Sequence, residues 1–334
     1  MKVITTFYSK NIGLTSLRPR LIYIPPRKRL IYKGSACVCA SAVLLFTQLT
    51  CCVALHQINL QIRRSEKPRM ASNPIILITG ANTGLGLETV KALLRSPKAY
   101  TILLGGRSLN NANAAAKEVQ AEFPRSPSVV KTIQVDIEDD DSISKAFDHV
   151  DNEYGRVDVL INNAGGQFDQ QFHFGNMTMR EMWNKSWNVN TTGTCILTHT
   201  FVSLLLKSSD PRLIFITSGM STLAESDNAS IKLNQSPAKG WPKKEPAVAA
   251  YRSSKTGMNM MMREWTRILR EDGVKVWCIS PGFLATGLGG NQDMNKQMGG
   301  LDPSIGANFV RDVVEGARDQ DTGKVVRRDG VQPW

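Results

Sequence analysis

From Asn73 onward the chain alternates short apolar runs with longer stretches in which apolar residues return every three or four positions. The runs Ile75–Thr79, Tyr100–Leu104, Val129–Val135, Val157–Ile161, Leu213–Thr217 and Val274–Ile279 are largely continuous. A strand with one wet face alternates polar and apolar side chains, so continuous runs predict strands covered on both faces. Helical spacing between them predicts helices near 84–95, 109–122, 141–153, 178–207 and 251–271. Strands separated by helices form parallel units joined by right-handed crossovers. The expected fold class is therefore α/β, a doubly wound parallel sheet with helices on both faces, in a single domain. Ala224–Ala247 carries Pro237, Gly240, Pro242 and Pro246 and predicts a long loop.

Residues 1–69 have a different character. The net charge of +12 points towards a polyanionic partner, but this segment alone holds twelve Lys or Arg against Glu66, leaving +1 on the rest. A charge confined to one end argues against a nucleic-acid partner for the folded part. The segment also contains Ala36–Leu55, twenty residues, about the length a bilayer demands. Thr47, Gln48 and Thr50 interrupt that run, and basic residues flank both its sides, so the charge rule sets no orientation. Three readings stand: a membrane anchor, a cleaved or targeting segment, or a natural start at Met70, just before the first strand. The expected organisation is a hydrophobic and basic extension, 1–69, and a folded domain, 70–334. The protein would be membrane-anchored with a cytosolic domain if the extension is translated, and cytoplasmic otherwise. Cys195 and Cys278 sit in apolar runs without a CxxC partner and read as core thiols of a reducing compartment. No metal site is expected, since His56, His149, His173 and His199 are scattered.

The chemistry begins where the first strand meets the first helix, at Thr79-Gly80-Ala81-Asn82-Thr83-Gly84-Leu85-Gly86. Glycines let a backbone turn tightly and approach a phosphate, and a helix start offers free N–H groups and a positive dipole end. Gly80, Asn82, Thr83, Gly84, Leu85 and Gly86 are therefore candidate nucleotide-binding positions. Tyr251 and Lys255 stand four residues apart, on one face of a helix. An ammonium beside a phenol, together with an oxidised nicotinamide, favours the phenolate, and that suits Tyr251 to general acid–base work.

Four motifs occur in one order: the GxxxGxG turn, Asn162-Asn163-Ala164-Gly165 after the fourth strand, Tyr251 with Lys255, and Pro281-Gly282-Phe283-Leu284-Ala285-Thr286 after the sixth strand. With them the chain from Ile75 onward resembles the classical short-chain dehydrogenases/reductases, and residues 1–69 lie outside the resemblance. It implies a Rossmann fold. The end of the second strand reads Leu104-Gly105-Gly106-Arg107-Ser108. It lacks the carboxylate that takes the ribose hydroxyls of NAD, and Arg107, with Ser108 beside it, can clamp a 2′-phosphate. The expected cofactor is NADP(H).

The resemblance also implies individual roles. Asp136 and Ile137 would border the adenine, and Asn163, Ala164 and Gly165 would pack beside its ribose. Ser218 would hold and polarise the substrate oxygen, with Thr217 or Ser221 as alternatives. Lys255 would bind the nicotinamide ribose, and Asn190 would hold a relay water against it. The Asn190-Thr191-Thr192 sequon is rejected, because this Asn should be buried. The Leu284 backbone and Thr286 would reach the carboxamide or pyrophosphate. Met258, Met261, Met262 and Trp265 continue the Tyr251 helix as core and dimer packing, which implies a homodimer or homotetramer. Thirty-two residues separate Ser218 from Tyr251, far more than the family's usual link. Their Trp241 reads either as a wall or lid for a bulky apolar substrate or as a side chain packed on the surface of a solvated insertion. The expected activity is the interconversion of a ketone or aldehyde and an alcohol on a small molecule, with Tyr251 as proton donor and acceptor. The chain is similar overall to fungal members acting in natural-product pathways. The alternative, from another class, is a non-catalytic NADP(H)-sensing or scaffold protein on the same fold.

Overall fold

A strand without a polar position has no face to show to water, and Ile75–Ile78 is such a strand. In the computed structural model, which describes residues 73–243 and 247–334, this β1 lies inside the sheet. It pairs in parallel with β2 (Thr101–Gly106) on one side and β4 (Val159–Asn162) on the other. β3 (Val129–Gln134) lies beyond β2, while β5 (Arg212–Ile216) and β6 (Lys275–Ile279) continue past β4. Two strands escape the sequence pattern. β7 (Val325–Arg327) adds in parallel to β6, and β8 (Gly330–Val331) folds back antiparallel. At three and two residues they are too short to display a period. The order is β3-β2-β1-β4-β5-β6-β7-β8.

Successive side chains of each strand feed two separate cores. Leu77, Leu160, Leu213, Phe215, Val276 and Cys278 point to one. Ile76, Ile78, Ile161, Ile214, Trp277 and Ile279 point to the other. The helices are α1 (Gly84–Leu94), α2 (Leu109–Glu122), α3 (Asp140–Tyr154), α4 (Asp169–His173), α5 (Met179–Trp187), α6 (Thr194–Leu205), α7 (Ala249–Ile268), α8 (Gln292–Gln297) and α9 (Pro303–Val314). Met258 and Met262 are fully buried and Trp265 nearly so, so the methionine face of α7 is core. The thiol of Cys278 is buried and that of Cys195 half-buried.

The helix expected over 178–207 runs without a break in helical backbone from α5 through a π-helical turn, Asn188–Gly193, into α6. Gly193 lies so close to the Ile137 carbonyl that a Cβ there would collide with it. The wide turn thus rides directly on the segment after β3. α9 was also unforeseen. Its signal is present in Asp302-Pro303, where Asp302 caps Ser304 N at 2.8 Å and proline takes the first turn.

The insertion after Ser218 is irregular, as expected, apart from short 3₁₀ turns. Its first half is tied down: Arg252 donates to Asn234 Oδ1 at 2.9 Å, Arg327 pairs with Glu225 at 3.0 Å, and Ala224 N donates to Trp334 O at 2.6 Å. Trp241 is 85 % exposed, so here the indole neither lines a wall nor packs on the domain surface. No helix among the described residues is long and apolar enough to cross a membrane. Ala36–Leu55 lies outside those residues.

Phe201 is fully buried, with the Phe147 ring edge-on at 5.7 Å. Phe201→Ala should lower unfolding free energy by about 3–5 kcal/mol in urea titration. A loss under about 1 kcal/mol would contradict its place in the core.

Candidate active site

Thr79 follows β1, and its hydroxyl accepts the N–H groups of Asn163 and Ala164 at 3.1 and 3.0 Å. Asn163 returns its side-chain amide to Thr79 O and Gly80 O at 2.8 and 3.0 Å. The turn after β4 is thereby stitched to the turn after β1. Gly86 sits where they meet, and a Cβ there would lie 2.5 Å from both Asn163 Nδ2 and Gly80 O. Thr83, exposed and extended, gives α1 no side-chain cap, and its first turn holds no acid. The first N–H groups of α1 therefore remain available to an anion. Leu85 and Asn82 are part-exposed at this end. Thr286 closes over the turn, 3.7 Å from where a Cβ on Gly84 would lie. It is held in place by Asn295, which donates to Thr286 O at 2.8 Å, while Leu284 beside it is buried.

Arg107 is exposed just past the end of β2. Ser108 caps α2, accepting Asn111 N at 3.4 Å. Asp136 Oδ1 accepts Glu138 N at 3.1 Å, and Ile137 is buried next to it. The four acids after Ile137 were expected to serve one helix start. Asp139 caps α3, and Asp140 and Asp141 occupy its first turn. Glu138 does something else: it pairs with Lys185 at 2.6 Å and accepts from Asn188 at 3.1 Å. It locks this loop to α5 across a gap of about fifty residues in sequence, which local spacing cannot reveal.

The expected catalytic side chains converge at the ends of β4 and β5. Tyr251 is 6 % exposed in the first turn of α7, and the Ser218 hydroxyl lies near enough to favour its ionised form. Lys255 follows one turn later and donates to Ile216 O at 2.8 Å. Asn190, fully buried in the π-turn, accepts Gly166 N at 2.9 Å and donates to Gly166 O and Ser254 Oγ at 2.9 and 3.0 Å. Gly165 lies between them: a Cβ there would stand 3.0 Å from Asn190 Oδ1 and 3.2 Å from Lys255 Nζ.

The two alternatives to Ser218 are turned inward. Thr217 Oγ1 donates to Asn259 Oδ1 at 2.7 Å, and Ser221 Oγ donates to Ser218 O at 2.6 Å. Asn259 and Gln332 complete this buried layer, each donating to Ser221 Oγ, and Gln332 also reaches Ser218 O at 3.2 Å. Neither carries a motif. Gln332 lies 114 residues from Ser218, so only folding shows the connection.

Burial governs the electrostatics. It pushes the Tyr251 hydroxyl above its ordinary value; the Ser218 hydroxyl pulls back, and the Asp169 carboxylate adds to the rise. Burial also pushes the Lys255 ammonium down, to about 8. The ammonium and an oxidised nicotinamide together were expected to lower the phenol; in the protein by itself desolvation is the largest influence and pushes it up.

Comparison with known proteins agrees with this architecture. The short chain dehydrogenase family profile matches residues 74–230 and 237–297. The short-chain dehydrogenase/reductase eupG of a Phoma species is 46 % identical over 270 residues, 78 % of this chain and 97 % of the relative. The short-chain dehydrogenase/reductase tropE of Talaromyces stipitatus is 46 % identical over 268 residues, 79 % of this chain and 99 % of the relative. In structure, the chain resembles an NADPH-bound carbonyl reductase from chicken fatty liver, with a TM-score of 0.62 at 21 % identity, covering 78 % and 99 % of the two chains. It also resembles a 3-oxoacyl-[acyl-carrier protein] reductase from Brucella melitensis in complex with NAD, with a TM-score of 0.60 at 19 % identity, covering 77 % and 95 %.

The displaced titration of Lys255 is a statement about stability. Below pH 8 folded and unfolded chains both carry the charge, and its burial opposes folding by on the order of 3 kcal/mol, given the drop from 10.5 to about 8. Above pH 8 the folded chain releases the proton before the unfolded chain does, so stability rises towards pH 10.5. Lys255→Met should therefore unfold at higher urea than the parent at pH 7, with the advantage fading by pH 10. Equal differences at both pH values would show that the buried charge is not the cause.

Proposed function

The chain belongs to the short-chain dehydrogenase family, and we propose that it is an NADP(H)-dependent oxidoreductase in which Tyr251 exchanges the proton between a carbonyl and an alcohol. The observation that carries this reading is the pairing of Tyr251 with Ser218 above Lys255 and Asn190. Family membership supports a small-molecule substrate reacting at a CH–OH or C=O group and a cofactor of the NAD(P)(H) class.

The residues present fit such a cofactor. The uncapped start of α1, with Gly80, Asn82, Thr83, Gly84, Leu85 and Gly86, would hold its phosphates. Arg107 and Ser108 would receive a 2′-phosphate. Asp136, Ile137, Asn163, Ala164 and Gly165 would border the adenosine, and Lys255, Leu284 and Thr286 the nicotinamide end. When bound, the cofactor supplies or accepts the hydride.

The protein's own part is to hold and move one proton. Ser218 orients the substrate oxygen with a hydroxyl fixed at the end of β5. Tyr251 gives its proton to that oxygen in reduction and removes it in oxidation. With its hydroxyl pushed upward by burial, Tyr251 is protonated at neutral pH, the form that reduction requires. Lys255 binds ribose and lies beside Asn190, whose amide holds the Gly166 backbone in place and would keep a relay water in line. Exposed Met260 and Ile268 on α7 and Trp187 at the end of α5 support self-association through this face as a homodimer. A role in a natural-product pathway is part of this reading; the two relatives at 46 % identity are fungal short-chain dehydrogenases/reductases. The extension 1–69 would anchor the enzyme to a membrane if translated, and the protein would be cytoplasmic if it starts at Met70.

Two variants test the reading. Arg107→Ala should weaken NADPH by roughly 10- to 100-fold, the worth of one or two charge-assisted hydrogen bonds, and leave NADH nearly unchanged. Equal Michaelis constants for both cofactors in the unaltered enzyme would exclude the preference. Tyr251→Phe removes one hydroxyl, so NADPH should bind as before while turnover of a carbonyl panel falls at least ~10²-fold. Near-normal turnover in this variant would remove Tyr251 from the chemistry. NADPH binding with no turnover by the parent chain would favour a sensing protein instead.

A further inference from the structure

The helix that carries both Tyr251 and Lys255 starts poorly by its own sequence. α7 is entered through Ala247-Val248-Ala249-Ala250. Val248 stands at the cap position with no side-chain hydrogen bond, and the first turn holds no acid. Such a start leaves backbone N–H groups unanswered, and burying them unpaired is costly. Here the answer comes from another element. Asp169, in the first turn of α4, accepts Ala250 N at Oδ1, 3.0 Å away, and Tyr251 N at Oδ2, 3.2 Å away.

Asp169 is only 3 % exposed, and among the described residues it makes no ion pair. A buried carboxylate is unfavourable unless it is hydrogen-bonded. Burial pushes its carboxyl above the ordinary carboxylate range, and the two amides, one on each oxygen, together with the positive end of the α7 dipole pull back towards the charged form. The charged and titratable groups around it are few. Tyr251 and Lys255 lie on α7, and Ser218 lies at the end of β5. On α5, Lys185 is already engaged with Glu138 at 2.6 Å.

We propose that Asp169 is a positioning residue of this active site: its carboxylate supplies, from α4, the cap that α7 lacks, and so holds the Tyr251 hydroxyl against Ser218. It acts through the helix backbone and needs no contact with substrate or cofactor. Its charge has a second consequence. Placed beside Tyr251, it opposes the phenolate and keeps the hydroxyl in its acid form. The group that holds the first turn of α7 in place thus adds to the burial that keeps its tyrosine protonated. This inference rests on reading Tyr251 as the proton donor.

Asp169→Ala and Asp169→Asn in the full chain test it by three measurements: amide hydrogen exchange, tyrosinate titration by absorbance against matched Tyr251→Phe chains, and NADPH-dependent reduction of 4-nitrobenzaldehyde. Asp169→Ala should speed exchange at Ala250 and Tyr251 about tenfold, the worth of a lost cap, with β1 and β4 unaffected. Its turnover should fall by a similar factor while the Michaelis constant for NADPH stays put. Asp169→Asn keeps an acceptor without the charge. It should recover most of the turnover and move the Tyr251 titration down by about one unit. Parental exchange at both amides in Asp169→Ala overturns the cap, and an unmoved Tyr251 titration in Asp169→Asn overturns the effect of its charge on the tyrosine. If Asp169→Ala does not fold, Asp169→Asn decides by its titration and by exchange at the amide that loses its charged acceptor. Equal turnover by the parent and Tyr251→Phe chains would instead sink the proton-donor reading, whatever the exchange rates show.

Discussion

The structure depends on one constraint: the inner strands are dry on both faces. β1, β4 and β5 have no exposed residue, so no functional group fits along their length without losing its water. Polar chemistry is displaced to the strand ends, where the backbone leaves the sheet and N–H groups become free. The glycine turn, the Asn163 turn and Ser218 all occupy that edge. A sheet wet on one face would have room for polar groups anywhere along it, and the site would not be forced into one line.

Crowding at that edge then decides residue identity. Thr79, Asn163 and Gly86 interlock so tightly that a methyl group at Gly86 would meet two polar atoms at once. Gly165 has the same role between Asn190 and Lys255, and Gly193 against the Ile137 carbonyl. Each glycine lets two backbone segments or a backbone and a polar side chain approach without a gap for solvent. Water exclusion in turn displaces the titrations of Tyr251 and Lys255, in the direction that disfavours charge on either. The protein therefore holds an ionisable pair where ionisation is hard, a destabilising arrangement of the kind retained where chemistry needs it.

Support for these groups is non-local throughout. The polar layer under Ser218 draws on α7 through Asn259 and on the C-terminal tail through Gln332. The loop after Ile137 is fastened to α5 by Glu138 and Lys185. The insertion after Ser218 is held by Arg252 and Arg327 rather than by any core of its own. Its aromatic tip at Trp241 remains in solvent.

The amino-acid sequence alone determined the strands β1 to β6, the helices of the crossovers, the glycine turn and the pairing of Tyr251 with Lys255. These follow from continuous apolar runs, from periods of three to four residues and from spacings within one turn, which are local properties and visible in any window of the chain. It also predicts that residues 1–69 stand apart from the domain, because charge and apolar length are sums over composition. Tertiary structure alone decided the rest. It widened the 178–207 helix into a π-turn at Asn188–Gly193, whose Gly193 lies against the Ile137 carbonyl. It turned the hydroxyls of Thr217 and Ser221 into the interior, which favours Ser218 in the proposed reading. It made burial, not the Lys255 charge, the dominant influence on Tyr251. It gave α7 a cap from Asp169, because α7 is entered through four apolar residues, Ala247 to Ala250, that cannot provide one. In each case the partner is distant in the chain, and a hydrogen bond or a clash between distant residues leaves no period for a sequence to show.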